Sequence, residues 1–336
     1  MDSLTHIVIG GITGEITLGK KIGNRALVWG GLIGSIPDFD VFISPFLNPV
    51  NALFFHRGIS HSLIAALVII PILGWILSRV EKQRGIEIKH WISLAAFPWL
   101  MHLFADYFNT YGTGFLEPIN RIRFSFDSMA IIDIFVLIPL TIILVLIALF
   151  SYQRRQRRIL AWVGIAFFFI YVTFSIFNKK AIESQVKLQL QSQNIKYERF
   201  ITTPVPLSNF FWGIVAENDS GYYMGNISNF NKKKSIDFYF TPRNSGLLNG
   251  FKESNSVESL LRFTKGFYSV ESDSANNIWV HDLRYASLDF KSKNAYVFSF
   301  EIEKTKNGVE VSRSHPIRKI NYKTIRKYSK KEILLK

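Results

Sequence analysis

The chain has 336 residues, 48 % hydrophobic and only 19 % charged, with a formal net charge of +15. A soluble globular chain carries about 25 % charged residues, so the shortfall points to a membrane-embedded portion. The absence of cysteine excludes disulfides and thiolate metal sites.

The N-terminus, Met1-Asp2-Ser3-Leu4-Thr5-His6, lacks the basic region of a signal peptide. The first apolar segment is therefore expected to stay in the mature protein. Segments Ile7–Leu18 and Ala26–Ile36 are short and rich in glycine, which permits close approach of membrane helices. They read as a tight helical hairpin. Ser62–Ser78, Ile131–Phe150 and Ile159–Phe177 are long enough to span a bilayer, which takes about 20 apolar residues. Trp91–Tyr107 makes a weaker fourth span because His102 and Asp106 lie inside it. After Phe177 comes a helix over Ala181–Ser192, then runs rich in β-branched and aromatic residues at Trp212–Ala216, Tyr222–Ile227, Ile236–Phe240, Ile278–Leu283 and Ala295–Ile302. Turn-like clusters such as Asn218-Asp219-Ser220-Gly221 and Lys306-Asn307-Gly308 separate them, and Val257–Phe263 reads as a helix. The expected architecture is an α-helical polytopic membrane domain over residues 1–178, of four spans plus the hairpin, followed by a soluble β-rich α+β domain over 179–336.

Lys and Arg set the topology. Lys20, Lys21 and Arg25 lie in one loop, Arg79, Lys82, Arg84 and Lys89 in a second, and Arg154, Arg155, Arg157 and Arg158 in a third. If these are cytoplasmic, the opposite face receives Asp2, His6, Asp38, Asp40, His56, His61, His102, Asp106, Asp127 and Asp133, and also the C-terminal domain. That domain carries the charge excess: residues 1–178 hold 14 Lys/Arg against 10 Asp/Glu, residues 179–336 hold 26 against 15. A basic outer domain suits anionic or phosphorylated lipids, though a plain solvated surface would look the same. No nucleic-acid-binding signature accompanies it, and no nucleic-acid partner is expected.

Ionisable residues at membrane depth are costly, so their presence there is a functional signal. His102 and Asp106, spaced i, i+4, share one helix face and suit a common metal. Asp2 and His6 repeat the spacing in reverse. Asp38 and Asp40 follow Pro37 on a turn at a helix end, where their oxygens can reach a cation. In His56-Arg57-Gly58-Ile59-Ser60-His61-Ser62 two imidazoles bracket a glycine and an arginine. Arg57 could bind phosphate or carboxylate in a bidentate manner, Gly58 would allow a tight turn, and Ser60 or Ser62 could cap the following helix. Asp127 and Asp133 flank the start of the next span, and Asp133, inside its first turn, could be a ligand, a carboxylate orienting a histidine, or only a helix-start residue. His90, His281 and His315 fall outside the cluster and are expected to be structural or exposed.

Asp2-x3-His6, Pro37-Asp38-x-Asp40, His56-Arg57-Gly58-x-Ser60-His61-Ser62, His102-x3-Asp106, Tyr111-Gly112-Thr113 and Ile132-Asp133 occur in that order. The set resembles the YdjM-like family, described as LexA-regulated, membrane-bound, metal-dependent hydrolases. The resemblance covers residues 1–150. The C-terminal half resembles the β-rich extension of longer members, marked by Trp212 and Asp282-Leu283-Arg284. Ser60 stands where many relatives have Thr, and Ile134 where many have Pro. The family is in turn similar to zinc-dependent phospholipases C, which implies a helical site with two or three zinc ions held by His and Asp. The expectation for this chain is one to three ions, in a multi-pass protein of the cell (inner) membrane.

The leading expectation is a metal-dependent hydrolase at the extracytoplasmic surface acting on a phosphoester or lipid headgroup. His6, His56, His61, His102, Asp38, Asp40 and Asp106 are its candidate ligands. Zinc suits a mixed nitrogen and oxygen set, and manganese is the alternative. Asp38 or Asp106 would be the general base and Arg57 the anion holder, with Asp2, Asp127 and Asp133 behind the ligands. The alternatives are a proton- or ion-coupled transporter, for which Glu15 would be essential, and a lipid-binding scaffold with a structural metal.

Overall fold

The computed structural model describes residues 1–81, 85–230, 235–251, 253–285, 296–305 and 308–314. Lys82, Arg84, Lys306, Asn307, Ala295 and His315 lie outside the described residues. The chain divides into two compact units, Met1–Pro45 with Phe55–Ile176, and Phe46–Phe54 with Phe177–Lys336.

The first unit is helical: α1 (Ser3–Ile22), α2 (Asn24–Ser35), α4 (Leu63–Val80), α5 (Ile88–Tyr107), α6 (Ile134–Leu149) and the first part of α7 (Arg155–Ser192), with the short α3 (Pro49–Phe55) assigned mainly to the second unit. Asn24–Phe46, Leu63–Val80 and Arg155–Ser192 are long and apolar enough to cross a membrane, and Ile134–Leu149 is a shorter apolar helix. Many of the exposed residues in the middle of α4, α6 and α7 are themselves large and apolar. Leu67 is 78 % exposed, Leu149 76 % and Ile170 67 %. Such faces would be unfavourable in water and are what a lipid-facing helix presents.

α1 runs the full 20 residues, longer than its apolar run, because Lys20 and Lys21 continue the helix before Gly23 turns it at φ 59°. It is packed between two apolar clusters. Val8, Ile9 and Ile12 meet Met101 and Ala105 of α5, Val136 and Leu140 of α6, and Phe168 of α7. Leu18 and Ile22 meet Ala26 and Ile33 of α2 and Trp91, Trp99 and Leu103 of α5. The hairpin between α1 and α2 depends on a glycine seam. A Cβ on Gly30 would lie 2.2 Å from the Gly10 carbonyl oxygen, and one on Gly10 would lie 2.4 Å from that of Gly30. Glu15, the one acidic residue within α1, is buried and ion-paired with Arg157 at 2.7 Å.

The second unit contains two antiparallel four-stranded meanders. The first is β1 (Arg199–Pro204), β2 (Phe211–Glu217), β3 (Gly221–Ser228) and β4 (Tyr239–Pro242). The second is β5 (Tyr268–Ser272), β6 (Ile278–Asp282), β7 (Phe298–Thr305) and β8 (Gly308–Ser314). α8 (Asn255–Phe263) lies between the sheets in sequence. The expected separate helix at Ala181–Ser192 is instead the end of α7, since nothing between Phe177 and Ala181 breaks a helix. Its Ile182, Val186 and Leu190, at i, i+4 and i+8, pack on Trp212, Ile214 and Ile227 of the first sheet. Strands β1, β5 and β8 were not expected. Each is rich in charged and hydroxyl residues, and each is an edge strand recruited by pairing on one side only. The strand expected at Ile236–Phe240 begins later, at Tyr239, where pairing with Met224 starts.

His281 of β6 is buried, with Nδ1 2.8 Å from Ser299 Oγ and its ring stacked on Tyr296. Burial lowers its pKa from 6.5 to about 4. The unfolded chain therefore binds a proton here between those values that the folded chain does not. Stability is expected to fall as pH drops from 6.5 towards 4, by about 3 kcal/mol in all from this group. Thermal unfolding of wild type and His281→Gln across that range tests this. The wild type should lose more stability on acidification, and parallel curves would count against it.

Candidate metal centre

Four buried residues converge in the first unit: Asp38, His61, His102 and Asp106. One nitrogen or oxygen of each lies within 4.8 Å of the others. Local structure sets each one. Asp2 caps α1, accepting from Thr5 N at 3.0 Å, and so places His6 one turn inside. The 3-10 segment Ile36–Phe42 buries both Asp38 and Asp40. Another 3-10 turn, Ile59–His61, ends on His61, and Ser62 then caps α4 through Ala65 N at 3.0 Å. His102 and Asp106 project from successive turns of α5.

The tautomers follow from the partners. His102 Nδ1 lies 2.7 Å from the Gly34 carbonyl oxygen, which can only accept, so Nδ1 donates and Nε2 keeps its lone pair. Ser60 Oγ donates to Asp40 Oδ2 at 2.6 Å and so accepts from His61 Nδ1 at 2.9 Å. His61 Nε2 is then also bare in the neutral ring. These two nitrogens face each other at 2.9 Å. Facing lone pairs repel unless a proton or cation lies against them.

The carboxylates make the same demand. Asp38 Oδ1 and Asp106 Oδ2 are buried and accept no hydrogen bond of ordinary geometry among the described residues. His61 Nε2 lies 3.4 Å from each oxygen, and His102 Nε2 lies 3.7 and 3.5 Å from them. A tetrahedral ion with bonds of about 2.0–2.1 Å has ligand–ligand edges of about 3.3–3.4 Å. The four nitrogen-to-oxygen edges are thus close to those around a cation of zinc size, and the 2.9 Å between the two nitrogens is shorter. Without one, burial pulls the His61 pKa down, but contact with Asp106, Asp38 and Asp40 outweighs this and raises it to about 9. The site is electrostatically built to hold positive charge.

Around this core the candidates divide. His6 stacks on His102 with ring centroids 3.6 Å apart, and its Nε2 lies 3.1 Å from Asp106 Oδ1. Asp40 sits beside the four and accepts from His56 Nδ1 at 2.7 Å, Arg57 N at 3.0 Å and Ser60 Oγ. Arg57 was expected to hold an external anion and Gly58 to make the turn. In the structure Arg57 takes the left-handed conformation, φ 60°, and Gly58 has φ −88°. The guanidinium is buried, 3.1 Å from Asp106 Oδ1, and donates to Asn109 Oδ1 and the Met1 carbonyl. The Met1 amine also contacts Asp106. Arg57 thus balances and orients Asp106. Asp2, Asp127 and Asp133 have other partners: Asp2 caps α1, Asp127 accepts from Ser125 Oγ at 2.9 Å, and Asp133 caps α6 and accepts from Tyr171 at 2.7 Å. His90 meets Lys21 at 3.3 Å.

Three supporting groups were not anticipated. Asn109 donates to Asp106 Oδ1 at 3.3 Å, Ser3 donates to Asp38 Oδ2 at 3.0 Å, and the Gly34 carbonyl orients His102. Asn109 had a readable signal, lying three residues after Asp106. The other two depend on the close packing of α1, α2 and α5.

A profile of the YdjM inner membrane proteins matches residues 1–182, and so includes all of these residues. The chain belongs to the YdjM inner membrane protein family. It is also similar to the uncharacterized protein YfhP of Bacillus subtilis (strain 168), 24 % identical over 311 residues that cover 89 % of each chain. No solved structure matches it. Family membership places the helical unit in a membrane, in keeping with its exposed apolar faces.

Proposed function

We propose that the protein is a membrane-bound, metal-dependent hydrolase whose reaction takes place at the Asp38–His61–His102–Asp106 cluster. The carrying observation is the set of four buried nitrogen and oxygen atoms that face one another and that, with both imidazoles neutral, share no proton between them. Two nitrogens and two oxygens suit zinc, with manganese the alternative. An ion bound there would supply Lewis acidity and activate water near neutral pH. His61 and His102 would hold it as neutral imidazoles, each fixed by a hydrogen bond at Nδ1. Arg57, Asn109 and His6 hold Asp106 in place. Asp38, whose Oδ2 is engaged by Ser3, is the carboxylate best placed to take a proton from attacking water.

The substrate on this reading is a phosphoester in a lipid headgroup. The exposed apolar helices and the basic composition of residues 179–336 support it. On this reading the protein has four spans and an N-terminal hairpin, with the cluster and the C-terminal domain on the extracytoplasmic face, an orientation that the Lys and Arg of the loops favour. Elemental analysis of purified wild type, His61→Ala and His102→Ala is the first test. Near-stoichiometric zinc or manganese is expected in the wild type and loss of at least about 90 % in both variants, since a structural ligand is being removed. A folded wild type that takes up neither metal would sink the reading.

One observation favours a second reading, a lipid-binding scaffold with a structural ion. Four protein donors are enough to close a tetrahedral zinc site, whereas catalytic sites keep a position open. Cobalt substitution separates the two. A five-coordinate spectrum, or one that changes on adding phosphate, supports the hydrolase, and an inert tetrahedral spectrum supports the scaffold. The transporter alternative finds little support, because Glu15 is already paired with Arg157.

A further inference from the structure

We propose that the loops around the metal centre are sunk in the hydrocarbon of the leaflet at that end. The centre therefore takes its substrates from within the bilayer, as lipids with long acyl chains, and not as phosphoesters dissolved in water. The substrate half of this proposal rests on the hydrolase reading above, and the immersion of the loops does not.

Residues 36–45, 55–63 and 108–133 frame the centre. The first stretch carries Asp38 and Asp40, the second His56, Arg57 and His61, and the third Asn109. They are tied to one another: Gly114 N donates to the Arg57 carbonyl at 2.9 Å, and Leu63 N donates to that of Phe115 at 3.0 Å. Fifteen residues of these stretches are exposed. Eleven of the fifteen are large and apolar, and Arg121 is the only one that carries charge. Ile119 is 82 % exposed, Phe42 69 % and Ile59 56 %. The other ionisable side chains of these loops are buried or half-buried. At the opposite end of the helical unit the pattern is reversed, with Lys20, Lys21, Arg25, Arg79, Lys89 and Arg155 all exposed. That end is made for water. An apolar surface of the other kind is unfavourable in water and marks a contact with something apolar.

The bilayer is that contact, because the loops continue faces that already meet it. Ile59 leads into Leu63 and Leu67 on the exposed side of α4, and Ile132 leads into Phe135 and Ile138 on that of α6. Phe39, exposed between the buried Asp38 and Asp40, follows the exposed Val28 and Leu32 of α2. Helix length points the same way. α4 has 18 residues and α6 has 16. At about 1.5 Å per residue they cover about 27 and 24 Å, against about 30 Å of hydrocarbon. Arg79 closes α4, and Arg154 and Arg155 follow α6, so headgroup level is fixed at those ends. The shortfall lies at the metal-centre end, where the apolar loops fill it. Arg121 suits such a layer, since the stem of an arginine can lie in hydrocarbon while its guanidinium reaches lipid phosphate. A lipid arrives at this depth by diffusing in its own leaflet, and a water-soluble ester does not.

The chain has no cysteine, so single cysteines can be labelled cleanly. Full-length Phe42→Cys, Ile119→Cys and Lys20→Cys, each carrying a fluorescent maleimide, are placed in phosphatidylglycerol nanodiscs. Nitroxides on the lipid acyl chains should quench the first two, and iodide in the water should quench the third. Quenching by iodide and not by the acyl-chain nitroxides at positions 42 and 119 overturns the proposal, whatever the activity. For the substrate, wild type loaded with zinc or manganese is given dioleoyl phosphatidic acid in the bilayer or dibutyryl phosphatidic acid in solution, which share one phosphoester. The bilayer lipid should be cleaved at least about 100-fold faster, because the soluble analogue is not concentrated in the leaflet. Comparable rates overturn the proposal. Phe42→Asp combined with Ile119→Asp replaces no ligand and should keep its metal while losing about 10-fold or more on the bilayer lipid, since carboxylates are costly at membrane depth. Unchanged cleavage by that variant counts against the proposal. Acyl-chain quenching with metal bound but neither substrate cleaved overturns the hydrolase reading and supports the immersion.

Discussion

Asp106→Asn is expected to empty the centre of metal and to destabilise the helical unit at the same time. Asp106 is fully buried and faces Arg57, the Met1 amine and His6 with one oxygen and the two other histidines with the second. Asparagine preserves the shape but removes the charge. Removing one partner of a buried ion pair costs about 3–5 kcal/mol, because the other charge stays buried without compensation. Metal content and thermal unfolding in detergent measure the two effects. Arg57→Met combined with Asp106→Asn should recover part of the stability without recovering metal. Wild-type stability in the single variant would show that Asp106 does not neutralise Arg57, and wild-type metal content would remove it from the ligand set.

Gly30→Ala is expected to be comparably damaging although it touches no ionisable group. Its Cβ would meet the Gly10 carbonyl oxygen at 2.2 Å and Gly14 Cα at 2.8 Å. Both are backbone atoms, so no rotamer change relieves the clash and α1 must move away from α2. Overpacking usually costs about 1–3 kcal/mol, and a backbone-to-backbone clash belongs at or above the top of that range. The displacement would also reach the metal centre, because α1 carries His6 and α2 carries the Gly34 carbonyl that orients His102. Gly31→Ala is the control. Its Cβ would meet Ile7 O at 3.2 Å, which a small shift can accommodate. Equal stability and equal metal content in the two variants would count against the seam.

Much of the site is readable in the sequence because the bilayer simplifies the inference. Histidine and aspartate at the ends of apolar runs stand out, and the loops rich in Lys and Arg place them together by parity alone. The i, i+4 spacing of His102 and Asp106 needs only helix geometry. The glycines of the first two segments imply close packing, and the YdjM family follows from the ordered motifs. In the second unit, β2, β3, β6 and α8 are legible from their apolar or aromatic patterning. β1, β5 and β8 are not, because a strand that joins a sheet edge needs little apolar signal of its own.

Only the tertiary structure decided how the candidates divide their work. Arg57 is drawn under Asp106 because a buried carboxylate needs a nearby cation more than the surface needs another arginine. Asp40 and His56 form a pair of their own beside the four central donors, a grouping that depends on where the turn after Phe55 meets the 3-10 segment Ile36–Phe42. Asp2 and Asp133 each cap a helix, and Asp127 sits on a turn with Ser125. The sequence determined that imidazoles and carboxylates gather at one end of the helical unit. Which of their atoms face one another across less than 5 Å was set by the packing of α1, α2 and α5. Hydrogen-bond direction and lone-pair placement are properties of three-dimensional contacts, and no residue pattern along a chain encodes them.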